Sequence, residues 1–470
     1  MRLPTFLLIL SLILAACGTP GTNSPAAPSV KTEPTDIPDK SVSQATFENS
    51  LLAVEWTGRA EGNLLYPLDP ATGMALPGYE PIPFGQNYSS AFSPDRRTLA
   101  AVTFPNDTGT NGSLLLIDLT SWKTRRFDLK LNGWVSSIVF SPDGKQLAIA
   151  QQDSTNTLTV FDLEKAVIAS QEDQEVLITR LKFTADNQLL MLYGIMVENR
   201  FTENEISGGS PQVRLLDAAD LNPRWSVDLK SVRDGLYPKD ETTTPDLNQP
   251  GTVIYLLPAV VFAPDHNTLY IVHADSDQLT IVDFDAQKVE TLDIRTELSW
   301  FEQLLSFTAG IAHAKISDGT NKQAAVSPDG QFLYAVGMRS ETVQNKYGQW
   351  QTNYTPLGLE IIRTDNASRV EHFEMDAADL SLSPDGSFLY LRNWTESEPW
   401  TEIFDTSTQQ VVARREGIYA TPALQMNGES LLVSSYSVSQ YSNFMSIFLS
   451  DGSRSLSEWK GSDYIAWLTP

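Results

Sequence analysis

Short runs of alternating apolar and polar residues, broken by tight clusters of turn formers, fill most of this chain, which is the period of strands rather than helices. Seven segments share one pattern: Ala91–Val102, Val139–Ala150, Lys182–Tyr193, Val261–Val272, Ala325–Val336, Ser381–Arg392 and Ala423–Ser434. The second reads VFSPDGKQLAIA, an apolar run, a turn and a second alternating run. In the turn, proline presets φ, Asp or Asn bonds locally, and Gly accepts the positive φ that reverses the chain. Each segment is therefore predicted to be a β-hairpin. A third strand follows each hairpin, as in LTVFDLEK (Leu158–Lys165) and LTIVDFDAQK (Leu279–Lys288), and a fourth follows that, as in Val411–Arg414. Four short strands recurring at about 40–80 residues are the mark of a β-propeller.

The two ends of the repeat region complete one another. Tyr464–Pro470 matches the first strand of the repeat, Phe47–Val54 matches its second, and Leu64–Gly73 supplies a third. The expected fold is all-β, a β-propeller of eight four-stranded blades. Its ring is closed where the C-terminal inner strand pairs with the N-terminal strands. Seven blades is the alternative, if the irregular unit near Ala423 is not a blade. The S-P-D-G hairpins resemble those of the WD40-like, YVTN-type and TolB-type bacterial propellers, over about Phe47 to Pro470. That resemblance implies a fold and leaves function open, because this fold hosts many unrelated activities.

Ahead of the repeats, Met1-Arg2 and an apolar run through Leu14 lead to Ala15-Ala16-Cys17. One charge, a short apolar stretch and small residues describe an export signal at 1–16. Leu14-Ala15-Ala16-Cys17 resembles the bacterial lipobox, which implies that Cys17 is acylated and that the protein is anchored by lipid to a membrane in the cell envelope, outside the cytoplasm. Residues 17–46, rich in Pro, Ser and Thr, form a tether that would hold the body of the protein on the order of 30 Å from that membrane. The propeller occupies 47–470.

Charge and composition narrow the partners. With 33 basic and 58 acidic side chains the net charge is −25, and no basic run offsets it, so a nucleic-acid partner is not expected. The single cysteine leaves no disulfide framework and no cysteine metal cluster. The four histidines, His266, His273, His313 and His372, do not form a ligand pattern. No G-x-S-x-G elbow, Walker A loop or H-E-x-x-H helix is present, so no catalytic residue, metal or cofactor is assigned. Asp275-Ser276-Asp277 and Asp283-Phe284-Asp285 read as turn carboxylates rather than calcium ligands, lacking the EF-hand glycine and glutamate. Asp95, Asp143, Asp186, Asp265, Asp329 and Asp385 recur with the hairpin and read as structural. Leu216–Trp225 is similar to the blade motif of quinone-dependent dehydrogenases, but occurs once and lacks its glycine.

Let the strands of each blade be a to d from the channel outward. Antiparallel alternation puts every a–b and c–d turn on one face and every b–c and d–a connection on the other. The six inserts, 197–210, 231–252, 294–322, 340–356, 393–400 and 435–444, all fall on the second face. Within the third, 297–311 spaces its apolar residues as a small amphipathic helix would. The inserts carry Tyr347, Trp350, Tyr354, Trp394, Trp400, Tyr436, Tyr441 and Phe444 among amides and hydroxyls, a chemistry that suits a protein or glycan partner. The expectation is a binding or assembly scaffold. The alternative is a lactonase- or dehydrogenase-like propeller enzyme with its site at the channel mouth.

Overall fold

A computed structural model describes residues 46–56, 62–85, 87–105, 110–131, 133–152, 156–196, 210–238, 252–265, 267–296, 319–345, 347, 349–393, 399–437, 443–461 and 464–467. The chain divides into Met1–Gln44 and Ala45–Pro470. The signal, Cys17, the tether and the helix expected at 297–311 lie outside the described residues.

Apart from a single 3-10 turn at Phe47–Asn49, the regular structure described is all strand, in eight hydrogen-bonded sheets. Seven of them are built on an antiparallel a-b-c-d core contributed by one continuous run of chain, including the unit near Ala423, Ile418–Gly461. The remaining sheet, here the first, is composite. Its strand b is Leu51–Trp56 and its strand c Asn63–Asp69, and its inner strand Tyr464–Trp467 comes from the other end of the chain. Ala53 lies opposite Trp467 and Trp56 opposite Tyr464. The all-β propeller and the pairing of its ends therefore agree with the sequence reading.

Strands b and c lie inside the stack of sheets, so both of their faces are buried and their sequences are nearly continuous in apolar residues. Leu99 through Val102 and Leu114 through Ile117 are all buried, whereas the outer strand Lys123–Leu131 is largely exposed and charged. At the closure, Leu52 and Val54 pack on Leu99 and Ala101 of the second sheet. Leu51 and Ala53 on the opposite face pack on Val433 and Ile447 of the eighth. Backbone bonds from Met426 N to Ser50 O (3.0 Å) and Asn427 N to Glu48 O add to that seam.

The a–b turns repeat one circuit. In Ser93-Pro94-Asp95, the Ser93 hydroxyl donates to Asp95 Oδ1 at 2.7 Å, Arg97 N donates to the same oxygen at 3.0 Å, and Thr98 N donates back to Ser93 Oγ at 2.9 Å. Ser141/Asp143, Thr184/Asp186, Ser327/Asp329 and Ser383/Asp385 do the same. The hydroxyl bond holds Asp95, Asp186, Asp329 and Asp385 below the usual carboxylate range. These aspartates are saturated by turn contacts, as their periodicity implied. Successive a–b turns touch: Asp143 N donates to Asn187 Oδ1 at 2.9 Å. A Cβ on Gly386, at φ +75°, would meet Pro328 Cδ at 2.5 Å.

Candidate functional site

The face opposite these turns carries the additions to the basic repeat. In the sixth sheet, strand b is the long Phe332–Gln344, and its outer part pairs with Trp350–Pro356 in a hairpin projecting beyond the four-stranded core. Between the fourth and fifth sheets, Gly235–Pro238 pairs with Val253–Leu257. The second of these strands runs parallel to the inner strand Gly319–Val326 of the sixth sheet. Gly319 is where they meet, since a Cβ there would lie 2.8 Å from Tyr255 O.

Among the described residues, the exposed large aromatic side chains are Trp134, Tyr255, Tyr347, Trp350 and Tyr354. All five belong to the b–c and d–a face. Trp134 opens strand a of the third sheet opposite Gln152, at the b–c end. Tyr255 stands in the d–a insertion and the other three on the long hairpin. The exposed aliphatic residues lie elsewhere: Met74, Val167, Ile168, Val370, Val411 and Val412 are on outer strands.

The hairpin is ordered by its own polar groups. At its tip, Asn345 N donates to Gln349 O at 2.8 Å, and Asn345 Oδ1 accepts from Tyr347 N and Gln349 N at 2.9 and 3.0 Å. Ser340 lies opposite Tyr354, Thr342 opposite Thr352 and Gln344 opposite Trp350, so these six side chains share one surface of the ribbon. Trp350 and Tyr354 stand roughly 13 Å apart along it. Between them the Thr342 and Thr352 hydroxyls are 3.2 Å apart. The result is a fixed, uncharged platform of two rings flanking hydroxyls and amides.

The other expected aromatics divide. Trp394 and Tyr441 lie outside the described residues, and Tyr436 and Phe444 fall on strands of the eighth sheet with their side chains outside them. Trp400 is corrected from a surface residue to a core one. It is 6 % exposed, packed with Leu391, Phe404 and Ala377. Arg414 Cζ sits 4.5 Å from its ring centroid, held there by Glu402 and Glu416 at 2.8 and 2.6 Å. Trp400 opens strand c of the seventh sheet, and that strand is buried on both faces.

A second concentration of polar groups, which the sequence reading missed, lies where the fourth, fifth and sixth sheets meet on the same side. Tyr193 donates to Asp234 Oδ2 at 2.7 Å, and burial pushes the Asp234 carboxyl up to about 6. Asp234 Oδ1 is buried without a hydrogen-bond partner among the described residues. Asp275 faces Arg233 at 3.8 Å, and Arg369 contacts Glu360 at 2.6 Å and Asp277 at 3.8 Å, so the carboxylates 275 and 277, read from sequence as turn residues, stand beside arginines. His273 bonds the Thr280 hydroxyl at 2.7 Å, and burial pushes its imidazole down. A hydroxyl beside an imidazole is the arrangement of an activated nucleophile. Here both residues are sealed, at 0 % and 1 % exposure, so the pair acts as a polar clasp inside the fifth sheet.

Asp283 accepts from Ala286 N within its c–d turn, and Asp285 accepts from Asn267 Nδ2 of the neighbouring a–b turn. Asp217 of the quinone-type motif accepts from Ala219 N and pairs with Arg224, closing a c–d turn, while Trp225 packs against Phe284. No group of three or more His, Cys, Asp or Glu placed to hold a metal occurs among the described residues.

No family model matches the chain, and no curated protein matches its sequence. Solved structures match its fold. The dihydro-heme d1 dehydrogenase NirN, in complex with DHE, aligns with a TM-score of 0.53 at 12% identity, over 91% of this chain and 77% of that chain. The Cps50 (Swd1) β-propeller domain of Myceliophteria thermophila aligns with a TM-score of 0.41 at 12% identity, over 74% of this chain and 92% of that one. A eukaryotic initiation factor gives 0.46 at 13% identity, over 89% and 98%. Likeness at such identity is one of fold, and the class is the β-propeller.

Proposed function

We propose that this protein is a lipid-anchored, extracytoplasmic β-propeller, of eight blades when the composite sheet is counted with the seven continuous ones. It serves as a binding or assembly scaffold for a protein or glycan partner on its b–c/d–a face. The observation that supports this is the confinement of all five exposed aromatic side chains of the described residues to that face. Anchoring rests on Leu14-Ala15-Ala16-Cys17 and is tested by metabolic labelling with a fatty-acid analogue, which marks the wild type and not Cys17→Ser. Binding is tested by comparing soluble glycans and purified envelope proteins on the wild type and on a Tyr347→Ser/Trp350→Ser/Tyr354→Ser variant. Full binding by that variant, with loss in a variant of the opposite face, overturns the assignment.

The ionisable groups around Asp234 support the second reading, an enzyme working at the channel mouth. Against it, the one hydroxyl–imidazole pair described there has no route to a substrate. Turnover of lactone or oxidisable alcohol substrates that Asp234→Asn abolishes would favour it.

A further inference from the structure

The second sheet departs from the charge of the rest of the protein. Its run Asn87–Leu131 carries six basic and four acidic side chains, the only sheet-forming run with a basic excess in a chain whose net charge is −25. Three of the six, Lys123, Arg125 and Arg126, stand exposed on its outer strand, where Asp128 is the one acidic residue. Arg125 lies opposite Leu116 and Arg126 opposite Leu115, so the two belong to different faces of the strand and the charge covers the rim of the disc from both. Arg97 adds a fourth at the adjoining a–b turn, where its carbonyl accepts from Leu119 N at 2.8 Å. In the next sheet Lys145 and Lys165 are held by Glu164 and Asp162, whereas none of these four makes an ion pair among the described residues. The carboxylates of the same turns are engaged by the turns themselves: Asp118 accepts from Thr120 N and Ser121 N, and Asp95 from Ser93 Oγ and Arg97 N.

This strand begins where the N-terminal segment joins the propeller. Phe47, in the 3-10 turn that precedes strand b of the first sheet, stacks on Tyr79 with ring centroids 5.2 Å apart and meets Trp122 edge-on at 5.8 Å. Trp122 Nε1 donates to Glu80 O at 2.8 Å, and Lys123 follows it directly in the chain. Met74, 71 % exposed, opens the outer strand of the first sheet at the same c–d end. Basic side chains with aromatic and apolar neighbours at the root of a lipid-anchored segment are the combination that settles on an anionic bilayer. The acidic remainder of the surface is repelled by such a bilayer, and screening confines both effects to about 10 Å, so one edge of the disc is selected.

We propose that the outer strand Lys123–Leu131 docks on anionic phospholipid headgroups of the membrane that carries the lipid anchor, with its c–d corner toward the bilayer and the aromatic hairpin away from it. The docking rests on the anchored reading given above. The full acylated chain is tested in vesicles of phosphatidylcholine alone or mixed with phosphatidylglycerol. Because Cys17 is the only cysteine and its sulfur is taken up by acylation, Thr124→Cys or Tyr347→Cys places a single fluorophore, read by quenching from a spin-labelled headgroup lipid. Flotation with the vesicles reports the anchor, and quenching reports the docking. Quenching at 124 in the phosphatidylglycerol vesicles, absent from 347 and from phosphatidylcholine alone and lost at high salt, is expected. Lys123→Gln/Arg125→Gln/Arg126→Gln on the Thr124→Cys chain should lower the docked-to-free ratio on the order of a hundredfold, at about fivefold per charge, with flotation kept. Chains that float but show no quenching at 124, equal quenching in both vesicles or at both positions, or quenching that the triple variant retains, overturn the docking and leave the anchor standing. Chains that do not float overturn both.

Discussion

The phenol of Tyr193, itself fully buried, donates a 2.7 Å hydrogen bond to Asp234, fastening the segment between the fourth and fifth sheets to strand b of the fourth. Asp234 carries a proton up to about pH 6 in the fold, against about 3.9 in an unfolded chain. A carboxyl raised in the folded state binds its proton more tightly there. Its contribution is therefore greatest below the unfolded pKa and falls as pH rises through about 6. Asp234→Asn mimics the protonated form. Urea unfolding between pH 4 and 7 should show the variant gaining on the wild type with rising pH, by on the order of 2 kcal/mol in total. Parallel curves would show that Asp234 does not titrate in this window.

Trp400 and Trp350 were indistinguishable as loop aromatics in the sequence, and the fold separates them. Trp400→Ala leaves a cavity beside Phe404 and strips Arg414 of its ring, so a loss of about 3–5 kcal/mol is expected. Trp350, 49 % exposed, should cost no more than about 0.5 kcal/mol on the same change. Denaturant melts of the two variants decide it.

Asp385 accepts from Ser383 Oγ at 2.6 Å, Ser387 N at 3.1 Å and Ser387 Oγ at 2.8 Å. Asp385→Ala should cost about 1–2 kcal/mol. The equivalent change at Asp95, several sheets away, should add to it without coupling. Because the folded carboxyls are held low, their contribution is present above the unfolded pKa and lost as pH falls through the folded one, so both variants should flatten the acid limb below about pH 4.

Removing Tyr464–Pro470 strips Leu51–Trp56 of its inner partner and leaves an open edge in the ring. A fall in Tm on the order of 10 °C is expected, with a new tendency to associate. Gly386→Ala should also destabilise, since φ is +75° and Pro328 is backbone-fixed against it. A truncated chain melting like the wild type would show that the closure carries no stability.

The parts of the fold readable from sequence are those written in local chemistry. Ser-Pro-Asp-Gly turns and double-sided apolar strands such as Leu99–Val102 announce themselves within a dozen residues, and the incomplete units at each end are complementary. What depends on distant packing was not readable. The parallel pairing of Tyr255 with Gly319 joins strands separated by an entire sheet. Lys322 is one charged residue in an alternating strand, and its burial follows from the bare Gly337 beside it and from the adjoining sheet. Trp400 ends a loop in the sequence, and nothing local marks that the strand it opens is enclosed on both sides.

The binding role of the aromatic face is tested most directly by photo-crosslinking in the native envelope. One crosslinker is placed at Tyr347, on the hairpin tip, and another at Ser407, in an exposed c–d turn of the opposite face. A single discrete adduct from position 347, absent from 407 and lost in Trp350→Ser/Tyr354→Ser, is the expected result. Adducts from 407 alone would contradict it.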